Sequence, residues 1–397
     1  MIWDKAGELV MHRAGRESSA TEGHAELKLY KNNVDGKGAS YGAHENYLVR
    51  RDVDFDVLTL SLAPHLLSRQ VFCGAGRVGI GQFGEADGFQ ISQRADYIEV
   101  LTGLETTLRR GIINTRDEPH ATDEKWRRLH VIIGDATMSE LATYLKIGTT
   151  CLVLDAIEAG VDFSDLVPVD PVEAVHVISH DPTLAATVAL PDGRELTGIG
   201  LQREILGRVA EVTGDGSGRP GWAPEVLAEW RENPRAPPAN PPARAEILDA
   251  LEENPMACAD RLDWPAKLRL LEGFRSRDDL GWDHARLALI DVQYHDIDPD
   301  RGLYNRLVAK GAMRRLTTDA EVEAAVTTPP ERTRAWARGR FLARLGDRVR
   351  TAGWDHVVVV DSRGEPRHVD LSDPYTGTRT HCEAHPDYLS PDGPSPH

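Results

Sequence analysis

One stretch of this chain sets a glycine-rich turn directly before a histidine and an amide. Residues 31–42 contain three glycines, and His44 and Asn46 follow them. Glycine accepts positive φ and lets the backbone approach a ligand closely. Because side chains of a strand alternate between two faces, His44 and Asn46 should point to the same side, with Glu45 opposite. The pattern indicates a nucleotide-binding edge of an active site, although the turn alone lacks the GxxxxGK[ST] spacing of a P-loop.

Two arginines are candidates for binding an anion. Arg94 ends a predicted strand over 88–94, and Arg116 lies in the polar run 114–120. A guanidinium is a planar fork of donors that suits phosphate or carboxylate, so the two could hold a polyphosphate or an oxyanion. The structural alternative is ion pairing, with Arg116 bridging Asp117 or Glu118 of a neighbouring loop.

Histidines at 44 and 130 lie on the polar faces of predicted strands. Imidazole there can bind a metal, contact phosphate or move a proton, although a lone histidine is often structural. Asp35 and Glu45 offer the hard oxygen ligands that Mg²⁺ prefers, or they are simply solvated acids. Trp354 could stack on an adenine or anchor the C-terminal part of the chain.

The elements that must position these residues are predicted from periodicity. Helices are predicted over 1–20 and 55–67, and a third runs from the capping residue Ser139 to Ala159, with Gly160 after it. Short strands are predicted over 27–33 and 127–133. Strands with one polar and one apolar face suit an antiparallel sheet whose apolar side rests on helices and whose polar side forms an open cradle.

The later part of the chain divides by composition. The composition shifts toward Gly and Pro over 214–244, which predicts a surface insertion. A small C-terminal domain is predicted from 331 onward, containing a helix to about 350 and a strand over 357–361. The polar tail 376–397 is predicted to be disordered.

Composition limits the class of protein. The chain has 397 residues and a formal net charge of −17, which argues against nucleic acid as the main partner. Its four cysteines form no CxxC pair, so neither a zinc knuckle nor a disulfide framework is expected. No apolar run reaches the roughly 20 residues that a membrane span requires, and no secretion signal is seen. A cytoplasmic location is the expectation.

Several motifs together resemble one family, that of the Pup ligase and the Pup deamidase/depupylase, which is related to glutamine synthetase. They are Lys31-Asn-Asn-Val-Asp-Gly-Lys-Gly-Ala-Ser-Tyr-Gly-Ala-His-Glu-Asn-Tyr47, Ser92-Gln-Arg-Ala-Asp96, Ile113-Asn-Thr-Arg-Asp-Glu-Pro-His120 and Arg127-Arg-Leu-His-Val-Ile-Ile-Gly-Asp135. The resemblance extends to about residue 375. Within the family, Val34-Asp-Gly-Lys-Gly38 and Arg77-Val-Gly-Ile-Gly81 resemble the depupylase branch.

The resemblance implies an α+β fold with a glutamine-synthetase-like, curved antiparallel sheet cradle packed on helices. It implies a catalytic domain over 1–330 and a small C-terminal domain over 331–397. The expected activity is ATP- and Mg²⁺-dependent hydrolysis of the amide or isopeptide at the C-terminal side chain of Pup. The implied setting is the actinobacterial cytoplasm, with Pup and pupylated proteins of the proteasome pathway as partners.

Site residues are carried over by position. The resemblance implies that Arg94 and Arg116 face the reacting centre and that His44 and Asn46 lie on the strand after the glycine turn. It implies that His130 lies near the metal and the phosphates, and that Trp354 packs near the nucleotide. Cationic donors of this kind stabilise the oxyanion that forms when an amide carbonyl is attacked.

The chain departs from the family pattern at its start. The Glu-x-Glu metal pair, the catalytic aspartate and a His-Pro-Glu-Tyr element are not found before Ile2-Trp-Asp-Lys-Ala-Gly7. Without these residues the chain could be inactive as an enzyme. A missing edge strand would also leave its neighbour in the sheet unpaired, which predicts poor solubility. The alternatives to the hydrolase are a Pup–protein ligase and a non-catalytic remnant that binds Pup.

Overall fold

A computed structural model describes residues 1–118, 120–214, 219, 223–230 and 247–393. The α-helices in these ranges are α1 (Ile2–Ala20), α2 (Phe55–Ser68), α3 (Gln70–Cys73), α4 (Glu140–Glu158), α5 (Pro171–His180), α6 (Gly198–Thr213), α7 (Ala223–Trp230), α8 (Ile247–Glu253), α9 (Asp263–Asp278), α10 (Ala285–Tyr294), α11 (Leu303–Ala309), α12 (Asp319–Thr327), α13 (Ala335–Leu345) and α14 (Arg379–Ala384). Within the described ranges, no helix is both long and apolar enough to cross a bilayer.

The strands are β1 (Glu45–Arg50), β2 (Arg77–Ile80), β3 (Ala86–Gln90), β4 (Ile98–Gly103), β5 (Arg110–Asn114), β6 (Trp126–Val131), β7 (Thr187–Ala189), β8 (Glu195–Thr197), β9 (Val349–Ala352), β10 (His356–Val360) and β11 (Pro366–Asp370). The main sheet has the order β1-β6-β5-β4. Its pairs are antiparallel except β4 and β5, which run parallel. Helices and sheets together give an α+β fold, as predicted.

The main sheet has one apolar face, and that face packs on α2 and α4. In β1 the residues Glu45, Tyr47 and Val49 are buried while Asn46 is exposed, which confirms the predicted alternation. Leu129 and Val131 of β6 join the same core as apolar side chains of the two helices. The polar residues of these strands are thereby directed to the opposite face.

The helix predicted from Ser139 to Ala159 is α4. The Ser139 side chain accepts a hydrogen bond from the backbone N–H of Ala142, which satisfies one of the free donors at the helix start. Gly160 has a φ of +91°, the left-handed conformation expected after a helix end. The helices predicted near the start of the chain and after α1 are also present, as α1 and α2.

Two strand predictions need correction. The predicted strand over 27–33 is irregular backbone, with one isolated bridge from Tyr30 to Asp296. The strand predicted over 88–94 ends earlier, because β3 stops at Gln90. Residues 91–97 are all buried although they lie outside β3. The alternating residue types that predicted a strand there therefore belong to a buried loop.

A second hydrophobic core lies near the C-terminus. It contains Trp336 and Phe341 of α13, Val357 and Val359 of β10, and Val369 of β11. Strands β9, β10 and β11 form an antiparallel sheet in the order β11-β10-β9. The domain boundary predicted near residue 330 is compatible with this core and stays a prediction.

The predicted disorder of 376–397 is wrong for the part that the structure describes. Helix α14 is followed by a short 3₁₀ turn, Pro386–Leu389. Cys382, Tyr388 and Leu389 are buried in the second core, which provides the apolar burial that a disordered segment lacks. Most of the predicted insertion over 214–244 lies outside the described residues, apart from α7.

Candidate active site

Two histidines meet at the polar face of the main sheet. His44 immediately precedes β1, and His130 lies in β6, the neighbouring strand. Nδ1 of His44 is 3.2 Å from Nε2 of His130, and the ring centroids are 4.9 Å apart. At this distance one nitrogen donates a hydrogen bond to the other, so at least one ring must be neutral.

Both imidazoles are held neutral by their surroundings. Burial lowers the pKa of His44, and the positive charges of Arg94 and Arg116 lower it further. The pKa of His130 falls to about 4, because of burial first and then the nearby His44, Arg128 and Arg116. Near pH 7 the pair therefore offers neutral ring nitrogens next to fixed cations.

Arg94 lies in this cluster but is not free to bind a ligand with its whole guanidinium. Its side chain is 1% exposed. Nη1 donates to Oγ of Ser40 at 2.5 Å and Nη2 donates to the carbonyl of Ile132 at 3.1 Å. Burial and then the charge of Arg110 lower its pKa to about 10. Arg94 thus joins the glycine turn to the end of β6 and adds positive potential at His44.

Arg116 has the opposite environment, because about half of its side chain is exposed. Its nearest described carboxylate oxygen, on Glu118, is 4.0 Å away, while Glu118 is 2.5 Å from Arg128. Glu118 therefore pairs mainly with Arg128, and the predicted structural ion pair of Arg116 is weak. The guanidinium of Arg116 keeps donors available for an anion.

A row of three polar residues crosses the sheet at the histidine pair. In the strand register, His130 is opposite Asn46 of β1 on one side and opposite Asn114 of β5 on the other. Asn114 is buried, and it donates to the carbonyl of Leu104 while accepting from the backbone N–H of Arg116. Asn114 therefore fixes the position of the Arg116 backbone just after the end of β5. Sequence reasoning placed Asn114 in a polar run without giving it a role.

Asn33 anchors the glycine turn and is another residue that sequence reasoning missed. Its amide donates to the carbonyl of Tyr41 at 2.9 Å and its side-chain oxygen accepts from the N–H of Ala136 at 2.6 Å. Its own backbone N–H donates to Gln93. The only signal in the sequence was its place within the quoted motif.

Glu45 turns away from the site. It forms a buried ion pair with Arg69, with distances of 2.5 and 2.9 Å to its two oxygens, and accepts a hydrogen bond from Tyr47. Burial would raise the pKa of Glu45, but Arg69 and Lys146 hold it below its usual value. The sequence alternatives for Glu45, a Mg²⁺ ligand or a solvated acid, are both wrong. Asp35 instead accepts backbone N–H groups of Lys37 and Ala39 within its own turn.

The described residues do not supply a metal site on their own. They contain no group of three or more His, Cys, Asp or Glu side chains that could hold an ion. Nε2 of His130 is already paired with His44, and its Nδ1 is buried without a described partner. Magnesium prefers hard oxygen ligands, which this set of imidazoles and guanidiniums lacks. Metal binding by His130 stays a prediction of the resemblance.

A groove of 710 Å³ opens beside His44 and runs along the free edge of β1. Asn46 and Leu48 line it on the strand side, and Ile147 lines it on the α4 side. At one part of the groove Trp126 and Tyr375 form an aromatic pair with centroids 5.7 Å apart. The groove is large enough for a small organic ligand or a peptide segment.

Trp354 lies in the turn between β9 and β10, in the C-terminal three-stranded sheet. It is 63% exposed, and the guanidinium of Arg338 lies 5.2 Å above its ring. It is absent from the described lining of the groove, where the aromatic residues are Tyr47, Trp126 and Tyr375. Contact of Trp354 with a nucleotide stays a prediction.

Comparison with known proteins gives consistent matches. The family model of the Pup-ligase protein matches residues 1–358. The Pup deamidase/depupylase of Mycolicibacterium smegmatis is 55% identical over 384 residues, covering 97% of this chain and 74% of that protein. The Pup deamidase/depupylase of Mycobacterium tuberculosis is 53% identical over 388 residues, with the same coverage. The Pup–protein ligase of Micrococcus luteus is 42% identical over 364 residues, covering 89% and 74%.

Two solved structures have the same fold. The complex of the prokaryotic ubiquitin-like protein Pup with its ligase PafA matches with a TM-score of 0.81 at 35% identity, covering 98% of this chain and 77% of that one. PafA in complex with ADP matches with a TM-score of 0.80 at 35% identity, covering 97% and 82%.

Proposed function

Because this chain belongs to the Pup-ligase protein family, we propose that it is a hydrolase acting on the C-terminal side chain of Pup. It removes the amide of a C-terminal glutamine and cleaves the isopeptide bond of pupylated proteins. The Pup deamidase/depupylases of Mycolicibacterium smegmatis and Mycobacterium tuberculosis are 55% and 53% identical to this chain, whereas the Pup–protein ligase of Micrococcus luteus is 42% identical. This difference favours hydrolysis over ligation.

We further propose that the chain binds ATP, since a solved relative of the same fold holds ADP. Asn46, Arg116 and His130 are the proposed phosphate contacts, and Trp354 is the proposed contact for the base. A bound nucleotide brings negative phosphate oxygens, which match the uncompensated positive charge of the site. Mg²⁺ would enter with those oxygens as its ligands, because the described protein residues provide no hard-oxygen set for it.

The chain's own residues can assist attack on an amide carbonyl. As the carbonyl carbon is attacked, negative charge develops on its oxygen, and the guanidinium of Arg116 can donate hydrogen bonds to that oxygen. His44 presents a neutral ring whose Nε2 is not used by His130. Arg94 contributes through its charge, since its donors are already bonded to the protein.

One observation carries the assignment of these roles. Two neutral histidines are hydrogen-bonded to each other on the polar face of the sheet, and the positive charge of Arg116 is near enough to lower the pKa of both. The positive charge of Arg116 is half exposed and only loosely paired with Glu118, so its donors are available to an anion. An anionic ligand, or an oxygen that becomes anionic during reaction, compensates that charge.

The first test measures conversion of a C-terminal glutamine of Pup to glutamate by mass spectrometry, with ATP and Mg²⁺ present. Arg116→Ala should lower kcat by about 10²- to 10³-fold, the usual cost of removing one oxyanion donor. Arg379→Ala is the control, because Arg379 is 47% exposed, like Arg116 at 48%, and lies in α14 with Glu331 and Glu383 as its partners.

Two further measurements distinguish the alternatives. Release of ADP with a lysine-bearing substrate would identify a Pup–protein ligase. Binding of labelled Pup without turnover, followed by fluorescence anisotropy, would identify a non-catalytic Pup-binding protein. Equal activity of Arg116→Ala and Arg379→Ala would show that Arg116 takes no part in the reaction. The proposal also extends to a cytoplasmic location with the proteasome pathway.

A further inference from the structure

Gly42 lies two residues before His44 and differs from the other glycines of the same turn. Gly36 and Gly38 have φ of +69° and +95°, a conformation that favours glycine whatever surrounds it. Gly42 is not among the residues with positive φ, so its backbone would accept an alanine. The requirement for glycine at this position therefore has to come from the space around it.

That space is occupied by the ring of His44. A Cβ built on Gly42 would lie 2.2 Å from Nε2 and 2.3 Å from Cδ2 of His44, well inside van der Waals contact. The next nearest atom is Cε1 of the same ring, at 3.5 Å. The imidazole thus folds back over the α-carbon of Gly42, and no other group would obstruct a methyl there as closely.

The opposite side of the ring is fixed by His130. Nδ1 of His44 is hydrogen-bonded to Nε2 of His130, and His130 is held in β6 with only 4% of its surface exposed. The ring of His44 therefore has one nitrogen committed to the protein and one, Nε2, lying above a residue that has no side chain. Any side chain at position 42 would cover Nε2 or turn the ring away from His130.

We propose that Gly42 is a positioning residue for His44: it leaves the space that the Nε2 side of the imidazole occupies while Nδ1 is hydrogen-bonded to His130. The expected effect on catalysis rests on the proposed function, whereas the position of the ring does not depend on it. Because a histidine ring can rotate, an alanine at 42 should be accommodated by moving the ring, with little loss of stability and a large loss of activity.

The test uses Gly42→Ala in the full chain, with Gly207→Ala as the matched control. Gly207 lies in α6, and a Cβ there would meet nothing within 4 Å. We expect Gly42→Ala to lower kcat for deamidation of Pup by about 10- to 100-fold, since a displacement of about 1 Å at a reacting group can cost 10²-fold. KM for Pup should change by less than about twofold, and Gly207→Ala should match the parent chain.

A double-mutant cycle separates positioning from a general disturbance of the turn. In a His44→Ala background the ring that Gly42 accommodates is gone, so Gly42→Ala should have no further effect on kcat. An additional loss of tenfold or more in that background would overturn the proposal, because the glycine would then act on something other than His44.

An NMR measurement decides the geometry without using activity. The ring ¹⁵N signals of His44, identified by their loss in His44→Ala, should shift in Gly42→Ala and stay unchanged in Gly207→Ala. Unchanged His44 signals in Gly42→Ala would overturn the inference. If the parent chain does not deamidate Pup while the His44 signals move as expected, the proposed function fails and the positioning role stands.

Discussion

The same residue type takes different roles in this site according to the atoms around it. Arg94 is enclosed and bonded to Ser40 and Ile132, whereas Arg116 is half exposed and only loosely paired. Glu45, one residue after His44, belongs to the opposite face and is bonded to Arg69. A chain segment of a few residues thus contributes both to the polar site and to the buried support beneath it.

At the residue scale we predict that Glu45→Gln destabilises the fold by about 3–5 kcal/mol, because it leaves the buried Arg69 without its counter-charge. Equilibrium unfolding by urea measures this. The double variant Glu45→Gln with Arg69→Met should recover part of the loss. The partly exposed pair Arg51–Asp117 is the control, and Asp117→Asn should cost about 0–1 kcal/mol. A similar cost for both acids would mean that Glu45 is not buried in solution.

At the scale of elements, the glycine turn and strands β1, β5 and β6 form one unit. Asn33 closes the turn against Tyr41 and joins it to Ala136, beyond the end of β6. The register of β1, β6 and β5 aligns Asn46, His130 and Asn114 across the sheet. The position of His44 is therefore set by the end of the turn and by the adjacent strand together.

We predict that Asn33→Asp, which removes the amide donor but keeps an oxygen, leaves the carbonyl of Tyr41 with only the longer hydrogen bond from Nη1 of Arg94, at 3.4 Å. The expected cost is about 1–3 kcal/mol in urea unfolding, together with a lower kcat for Pup deamidation. Asn32→Asp is the control, because among the described residues the Asn32 amide donates a hydrogen bond only within the turn, to the carbonyl of Val34. Equal effects of the two variants would show that the link from Asn33 to Tyr41 does not hold the turn.

At the scale of the whole molecule, buried histidines couple folding to pH. His65 in α2 and His295 after α10 are fully buried, and burial first, then Arg69 and Lys267 respectively, lowers their pKa well below the usual value. The folded chain keeps both rings neutral, whereas the unfolded chain protonates them below about pH 6.5. Their contribution to stability is therefore complete above that pH and is lost as the pH falls.

We expect the free energy of unfolding to decrease between pH 7 and pH 5. Replacing His65 by Asn should lower stability at pH 7.5 but reduce the slope between pH 6 and pH 5 by about 1.4 kcal/mol per pH unit, the effect of one proton taken up on unfolding. Urea unfolding of both chains across this range measures it. Parallel curves for the parent and the variant would show that His65 is already protonated in the folded state.

The sequence by itself determined the elements whose signal is local. Helix α4 has its capping serine and its terminal glycine, and the alternation of β1 separates Glu45 from Asn46. Both patterns act within a few residues along the chain, so they can be seen without knowing what packs on them. The family motifs likewise located His44, Arg116 and His130.

Only the tertiary structure decided which partners the side chains around the site have. Arg94 lies outside a strand, Glu45 pairs with a residue 24 positions later, and Asn33 is bonded to Ala136, because these contacts join segments that are far apart in the chain. The described part of the tail, 376–393, is folded because its apolar residues pack in a core that α13 and β10 also form. Local periodicity cannot encode a partner that another segment supplies, which is why the sequence indicated the residues and the fold assigned their contacts.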